Sequence, residues 1–451
     1  WSNNEALSAG EVKYVSTAGS DSGSSYANNM AGKLGQGNQS VDIGALVNGS
    51  TYTLTVAGTD VAGNPGTTVT NTGIIYDSDA PGFGSVTPDT NARISAGTRV
   101  VAWTNSEALT AGTVTYTRTG GNPDTGSPHS ATMAGKTGVG AQSVDLGALV
   151  EGSIYKLDIT GTDVAGNVGT LASKTNIEYD TSAPTFGSVT PATNAYVRAG
   201  TRTIAWTNSE ALSSGKVTYE RTGGNPDAGS PHEHNMTSGE KAVGAQSYDF
   251  GVGVLADGTV YKVTVIGTDA AGNAGTVVEN TNVTYDETNP GFGSITPDTN
   301  AKVKASTKAV AYTNSEDLSA GSVVYTGTSG SDSGSVRSTV FDATNRQSGS
   351  HTVDVSGLVD ANTYSLEVKG TDLAGNTTTV TNTGIVYDTT NPGFGSVTPV
   401  TGTKIRETTR VVNWTNSEGL SAGAVKYTST SGTDSGTVYN GDLTGKLGSG
   451  A

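Results

Sequence analysis

The sequence predicts an all-β chain: a tandem array of antiparallel β-sandwiches with a repeat of about 103 residues. Three observations predict it. WSNNEAL at Trp1 returns as WTNSEAL at Trp103 and Trp206, YTNSEDL at Tyr312 and WTNSEGL at Trp414, at steps of 102, 103, 106 and 102 residues. A period near 100 is too long for a solenoid unit and fits one complete small domain. Within each copy the apolar period is two, and no helical stripe of any length occurs. Glycine accounts for 63 of 451 residues and apolar side chains for 33%, spread evenly enough for many small cores rather than one large one.

The elements of one repeat follow in order. GFGSVTP reads as the first strand, A. In TRTIAWT, Ile204 and Trp206 alternate with Thr203 and Ala205, which makes a strand with one buried face. Asn413 at the outward parity of the last copy places Val412 and Trp414 inward. In YKLDITGTD, Tyr155, Leu157 and Ile159 share one face and Lys156, Asp158 and Thr160 the other. Tyr261, Val263 and Val265, then Tyr364, Leu366 and Val368, repeat the pattern. The turns GTDVAGN (Gly58–Asn64 and Gly161–Asn167), GTDAAGN (Gly267–Asn273) and GTDLAGN (Gly370–Asn376) recur in phase. So do YDSDAPGFGSVTP and its relatives, whose proline and glycine density marks junctions. About seven short strands per copy, separated by Gly/Asn/Asp turns, give an antiparallel sandwich.

One local motif narrows the class. LVNGSTY (Leu46–Tyr52), LVEGSIY (Leu149–Tyr155) and LADGTVY (Leu255–Tyr261) share L-x-x-G-x-x-Y, and LVDANTY (Leu358–Tyr364) has Ala361 in place of the glycine. This resembles the tyrosine corner of immunoglobulin-like and fibronectin III-like domains, which precedes strand F. With the D-x-A-G-N turn and the YD-x-x-x-P junction, the whole chain resembles tandem bacterial immunoglobulin-like domains, modules of giant surface adhesins and extracellular fibres. The resemblance places complete domains at 81–180, 184–286 and 290–388. Residues 1–77 form a partial domain lacking strand A, and 392–451 a partial one with the first strands only, as expected of an excerpt from a longer array.

Composition excludes several functions. The formal net charge is −16 without basic clusters, a poor match for nucleic acid or anionic membrane surfaces. No apolar run approaches a membrane span. Zero cysteines remove disulfides, thiolate metal sites and cysteine nucleophiles. Only His129, His232, His234 and His351 offer acid–base chemistry near neutral pH. Ser127–His129 and Ser230–His232 put serine beside histidine in two copies only, and adjacency does not orient a nucleophile. His232 and His234 can share a strand face, but other copies lack them. The inward parity of Trp103 makes it core rather than a sugar platform. Lys33, Lys136 and Lys446 sit in glycine-rich loops, the wrong setting for a buried isopeptide lysine.

The carboxylates form a pattern. In an immunoglobulin-like sandwich the B–C and F–G loops share one end, while strand G finishes at the other and hands over to the next domain. Asp77 should therefore meet Glu107 and Asp163 across one junction. Asp180, Glu210 and Asp269 meet at the next, and Asp286, Glu316 and Asp372 at the third. Asp388 and Glu418 represent the fourth. Converging carboxylates repel unless a cation intervenes, and hard oxygen ligands suit Ca²⁺. Junctional Ca²⁺ is also what the family resemblance implies. Asp163 has a second role, capping the AGN turn.

The sequence reads as a structural segment of an extracellular filament or adhesin, not an enzyme, because near-identical copies add length where catalysis needs one site. Each sandwich spans roughly 40 Å. Its partners are neighbouring repeats of the same chain. Lateral self-association into fibres and a surface glycan or receptor are the further candidates. The competing function is a glycan- or receptor-binding array that uses the long C–D loops, GGNPDTGSPH and its relatives, which vary most between copies.

Overall fold

The computed structural model describes residues 1–450, whose regular secondary structure is almost all antiparallel sheet. The only helical turn among them is a 3₁₀ turn at Glu407–Thr409. No helix among the described residues is long and apolar enough to cross a membrane.

The third copy serves as reference. Its strands are β1 Phe186–Thr190, β2 Tyr196–Val197, β3 Ile204–Asn208, β4 Leu212–Gly224, β5 His232–Asn235, β6 Gly244–Tyr248, β7 Thr259–Asp269 and β8 Val278–Tyr285. One sheet has the order β1-β3-β6 and the other β2-β8-β7-β4-β5. All pairs are antiparallel except the short β2, which runs parallel to β8. The second and fourth copies repeat both sheets. This is the immunoglobulin-like, fibronectin III-like arrangement of two sheets around one core.

The strand after the long loop, β5, pairs with β4 and stays in the same sheet. The loop therefore joins neighbouring strands, C to C′, and does not cross to the opposite sheet as a C–D connection would. The four-residue β5 is too short to reveal its partner by its own alternation.

The cores follow the period-two reading. Along β7, Tyr261, Val263 and Val265 are fully buried while the intervening residues are partly exposed. Outward, Lys262 bridges Glu220 and Glu279 at 3.0 Å each. Three separate buried clusters form: Val86 to Tyr179, Phe186 to Tyr285, and Val303 to Tyr387.

At the centre of the first two, tryptophan does more than fill space. Trp206 is 1% exposed. Its indole N–H donates to Asn208 Oδ1 at 2.9 Å, and Asn208 Nδ2 donates to the carbonyls of Glu240 and Ala242. The indole thus orients an amide that pins the glycine-rich loop. Beside it, Gly215 and Gly267 face each other across β4 and β7. A Cβ on Gly215 would lie 2.4 Å from Met236 Sδ, so the missing side chain leaves room for methionine to plug the core. Met133 and Phe341 occupy the same slot over Gly112 and Gly321.

The fourth copy has Tyr312 where the others have tryptophan. Its hydroxyl donates to the Asn345 carbonyl at 3.1 Å, and the buried Asn314 Oδ1 is left without a donor. Phe341 stacks on Tyr312 at 4.8 Å, so the two positions change together. Restoring both, Tyr312→Trp with Phe341→Met, should return the N–H donor and stabilise this repeat by about 1–3 kcal/mol. Denaturant unfolding of the full chain checks it. An unchanged midpoint for this repeat would mean that the orphaned oxygen already has water.

Candidate metal centres at the repeat junctions

The tyrosine corner is present in all four copies that contain it. The backbone N–H of Ala256 donates to the Tyr261 hydroxyl at 2.8 Å, as Val47, Val150 and Val359 do to Tyr52, Tyr155 and Tyr364. Gly258 has φ +68°, and Ala361 adopts the same left-handed backbone at φ +58° despite its Cβ. This tight E–F turn delivers β7 to the junction end of the sandwich, where Asp269 is its last residue.

Three carboxylates from three elements converge there. Asp180 directly follows the preceding copy's last strand, which ends at Tyr179, Glu210 lies in the turn between β3 and β4, and Asp269 closes β7. One carboxylate oxygen from each lies within 4.8 Å of the other two. Asp77, Glu107 and Asp163 form the same group one junction earlier, and Asp286, Glu316 and Asp372 one junction later. At the fourth junction burial and then Asp388 raise the Glu418 carboxyl, and the sequence stops before the equivalent of Asp269.

The electrostatics of these groups run against free ionisation. Burial, then Asp77 and Asp163, pushes the Glu107 carboxyl above its usual range. Burial, then Asp180 and Asp269, does the same to Glu210. Burial and the opposing Asp372 raise Asp286, and burial with Asp286 and Asp372 raises Glu316. Asp180 is raised by burial and by Asp269. Asp163 goes the other way: burial opposes its charge, but hydrogen bonds from Asn167 and Gly166 hold it below the ordinary value. A carboxyl raised in the folded state weakens the fold at pH above its folded pKa. That cost disappears as pH falls through the folded pKa, or when a cation supplies the missing positive charge. Three partly to fully buried carboxylates with their oxygens this close are a donor set that fits a hard divalent cation.

Further residues complete each junction, and motif spacing did not single them out. Glu151, from the E–F loop, accepts the Thr181 N–H at 2.6 Å and the hydroxyls of Thr181 and Ser182. Asp257 holds Glu287 and Thr288 in the same way, and Asp360 holds Thr389 and Thr390. At the first junction Asn48 takes this place, accepting the Ser78 N–H at 2.7 Å. The signal was the second x of L-x-x-G-x-x-Y, which is Asn, Glu, Asp and Asp in the four copies.

The other singled-out residues are used structurally. Ser127 and Ser230 accept the backbone N–H of Arg118 and Arg221. His129 and His232 pair with Asp124 and Asp227 at 2.6 Å. His234 pairs with Glu240 and stacks on Tyr248 at 3.5 Å. Trp103 is 2% exposed, within the core. The long loops, although variable, keep one aspartate each: Asp21, Asp124, Asp227 and Asp332 all accept the tyrosine-corner hydroxyl at 2.7 Å. The short string D-x-G, common to SDSGS, PDTGS and PDAGS, carried that information.

No protein-family model matches the sequence, and comparison with curated proteins finds no match. Solved structures do. One, from work on the host-cell surface retention of a bacterial ice-binding adhesin, is 22% identical, covers 68% of this chain and 98% of its own, and has a TM-score of 0.28. A Ca²⁺-stabilised adhesin of an Antarctic bacterium is 23% identical over 85% of this chain and 91% of its own, with a TM-score of 0.26. A tetra-tandem repeat from the extending region of a large adhesion protein is 22% identical, covers 85% and 94%, and has a TM-score of 0.28. The chain is similar to these adhesin repeats; its assignment as a tandem array of immunoglobulin-like, fibronectin III-like sandwiches rests on the strand order and register above.

Proposed function

We propose that this chain is a structural segment of an extracellular bacterial filament or surface adhesin, in which Ca²⁺ at the repeat junctions stiffens a rod of sandwiches. In this reading 81–180, 184–286 and 290–388 are the complete domains, flanked by the partial ones at 1–77 and 392–451. One observation carries it: the same aspartate, glutamate and aspartate converge three times, each time where one copy hands over to the next. Nothing in the fold of a single sandwich requires such a group, since carboxylates at this spacing repel.

The proposed ligands are Asp77, Glu107 and Asp163; Asp180, Glu210 and Asp269; Asp286, Glu316 and Asp372; and Asp388 with Glu418 at the last junction. A bound cation would turn the separation of neighbouring sandwiches into a coordinated distance. Extracellular modules hold Ca²⁺ with dissociation constants of about 10⁻⁴ to 10⁻³ M, so the rod is loose where calcium is scarce and firm outside the cell.

Small-angle scattering of the full chain, first with calcium and then with chelator, tests this. Chelation should shrink the maximum dimension while the β-sheet circular dichroism stays unchanged. Asp180→Ala with Asp269→Ala should reproduce part of that shrinkage in calcium, at one joint. Identical scattering in both buffers would reduce the carboxylates to turn caps and surface charge.

A further inference from the structure

The D-x-A-G-N asparagine has more bonds than its turn requires. Asn273 closes the F–G turn through its backbone N–H, which donates to Asp269 Oδ1 at 2.9 Å. Its carboxamide then points out of the turn. Nδ2 donates to Asp269 Oδ2 at 2.8 Å and to the main-chain carbonyls of Asp180 at 2.9 Å and Ser182 at 3.3 Å, some 90 residues earlier in the preceding copy. Asn376 repeats this with Asp372 Oδ2, the Asp286 carbonyl at 2.9 Å and the Thr288 carbonyl at 3.4 Å. Asn167 does so with Asp163 Oδ2 and the Asp77 carbonyl at 3.2 Å.

The chemistry of the site selects an amide. The acceptors, a carboxylate oxygen on one side of the joint and carbonyl oxygens on the other, need N–H or O–H groups. A carboxamide nitrogen carries two hydrogens, one for each side of the joint, whereas serine or threonine has one and ionised aspartate has none. The carbonyl it takes belongs to the same residue whose carboxylate enters the triad. One nitrogen therefore fixes the position of two of the three carboxylate-bearing residues relative to each other. At the third junction a second contact agrees: Gly375 lies so close to Arg198 of the preceding copy that a Cβ there would meet the guanidinium Nε at 3.3 Å.

We propose that Asn167, Asn273 and Asn376 are positioning residues that set the angle at which neighbouring sandwiches meet, with or without a cation between the carboxylates. The proposal rests on the junctional reading above and divides the labour within it. Calcium decides how stiff the joint is, and the asparagine decides where it is centred.

The first copy supplies an internal control. Asn64 makes the same turn bonds, to Asp60 Oδ1 and Oδ2 at 2.8 Å, and donates to no other copy. Asn64→Ala therefore reports the loss of the turn alone.

The chain has no cysteine, so spin labels can be placed at will. Val243 and Val340, 63% and 74% exposed, lie on either side of the third junction. With both replaced by labelled cysteine in the full chain, pulsed dipolar spectroscopy reads the distance distribution across that joint. With Asn376 intact, a single peak should keep the same centre in calcium and in chelator, broadening in chelator. Asn376→Ala should lose that peak in chelator, while far-UV circular dichroism shows it, like the turn-only variant Asn64→Ala, folded. Val139, 67% exposed, with Val243 repeats the test for Asn273→Ala at the second junction. If the alanine variants keep the wild-type centre and width in chelator, the asparagines do not position the joint. A wild-type width that ignores calcium would instead sink the calcium reading and leave the asparagine proposal standing.

Discussion

Trp206→Ala should destabilise its repeat by about 3–5 kcal/mol, the usual cost of truncating a large buried aromatic. The indole is 1% exposed amid Ile204, Val217, Tyr219 and Val265, so its removal leaves a cavity that the flanking strands cannot close. A second loss follows. Asn208 Oδ1 would have no donor, and the Asn208 amide that ties the Glu240 and Ala242 carbonyls would be free to turn. For a domain near 100 residues this is a large share of the total stability of about 5–15 kcal/mol. The damage should stay within this repeat, because the three buried clusters do not merge. Calorimetry of the full chain should show one component moving to lower temperature while the others hold. A shift of the whole transition as one unit would refute independent cores.

Asp227→Ala should cost about 3 kcal/mol, the range for removing one partner of a buried, hydrogen-bonded charge. The residue sits in a loop that the sequence marks as variable, yet its carboxylate is 6% exposed. Oδ2 accepts the Tyr261 hydroxyl at 2.7 Å and the His232 ring at 2.6 Å, and Oδ1 accepts the Gly229 N–H at 3.0 Å. Burial and then Asp227 push the Tyr261 hydroxyl up to about 12, so it remains a donor throughout the working range of pH. Without the acceptor, the loop loses its anchor and the tyrosine corner its proton acceptor. Asp227→Asn, which keeps one acceptor oxygen, should cost less. A stability change for Asp227→Ala within about 0.5 kcal/mol, the range of ordinary surface sites, would show the loop to be unanchored.

The sequence by itself determined the repeat, the all-β class and the inward faces. These depend on local rules: a period of two sets which side chains of β7 are buried, and an exposed turn needs glycine, asparagine or aspartate. It also brought Asp180, Glu210 and Asp269 to one end, because strand order in a sandwich fixes which loops share an end. Tertiary structure decided what local rules cannot see. That β5 stays beside β4 depends on pairing energies over four residues, too few for their own alternation to specify a partner. The second use of Asn273 depends on a carbonyl some 90 residues away, and a side-chain amide carries no periodic signature of its acceptor. The same holds for Asp227, whose tyrosine partner lies 34 residues further on. Hydrogen bonds between loops are directional and short-ranged, so they come into being only once the hydrophobic faces have set the sheets, and only the folded chain shows which polar residues meet.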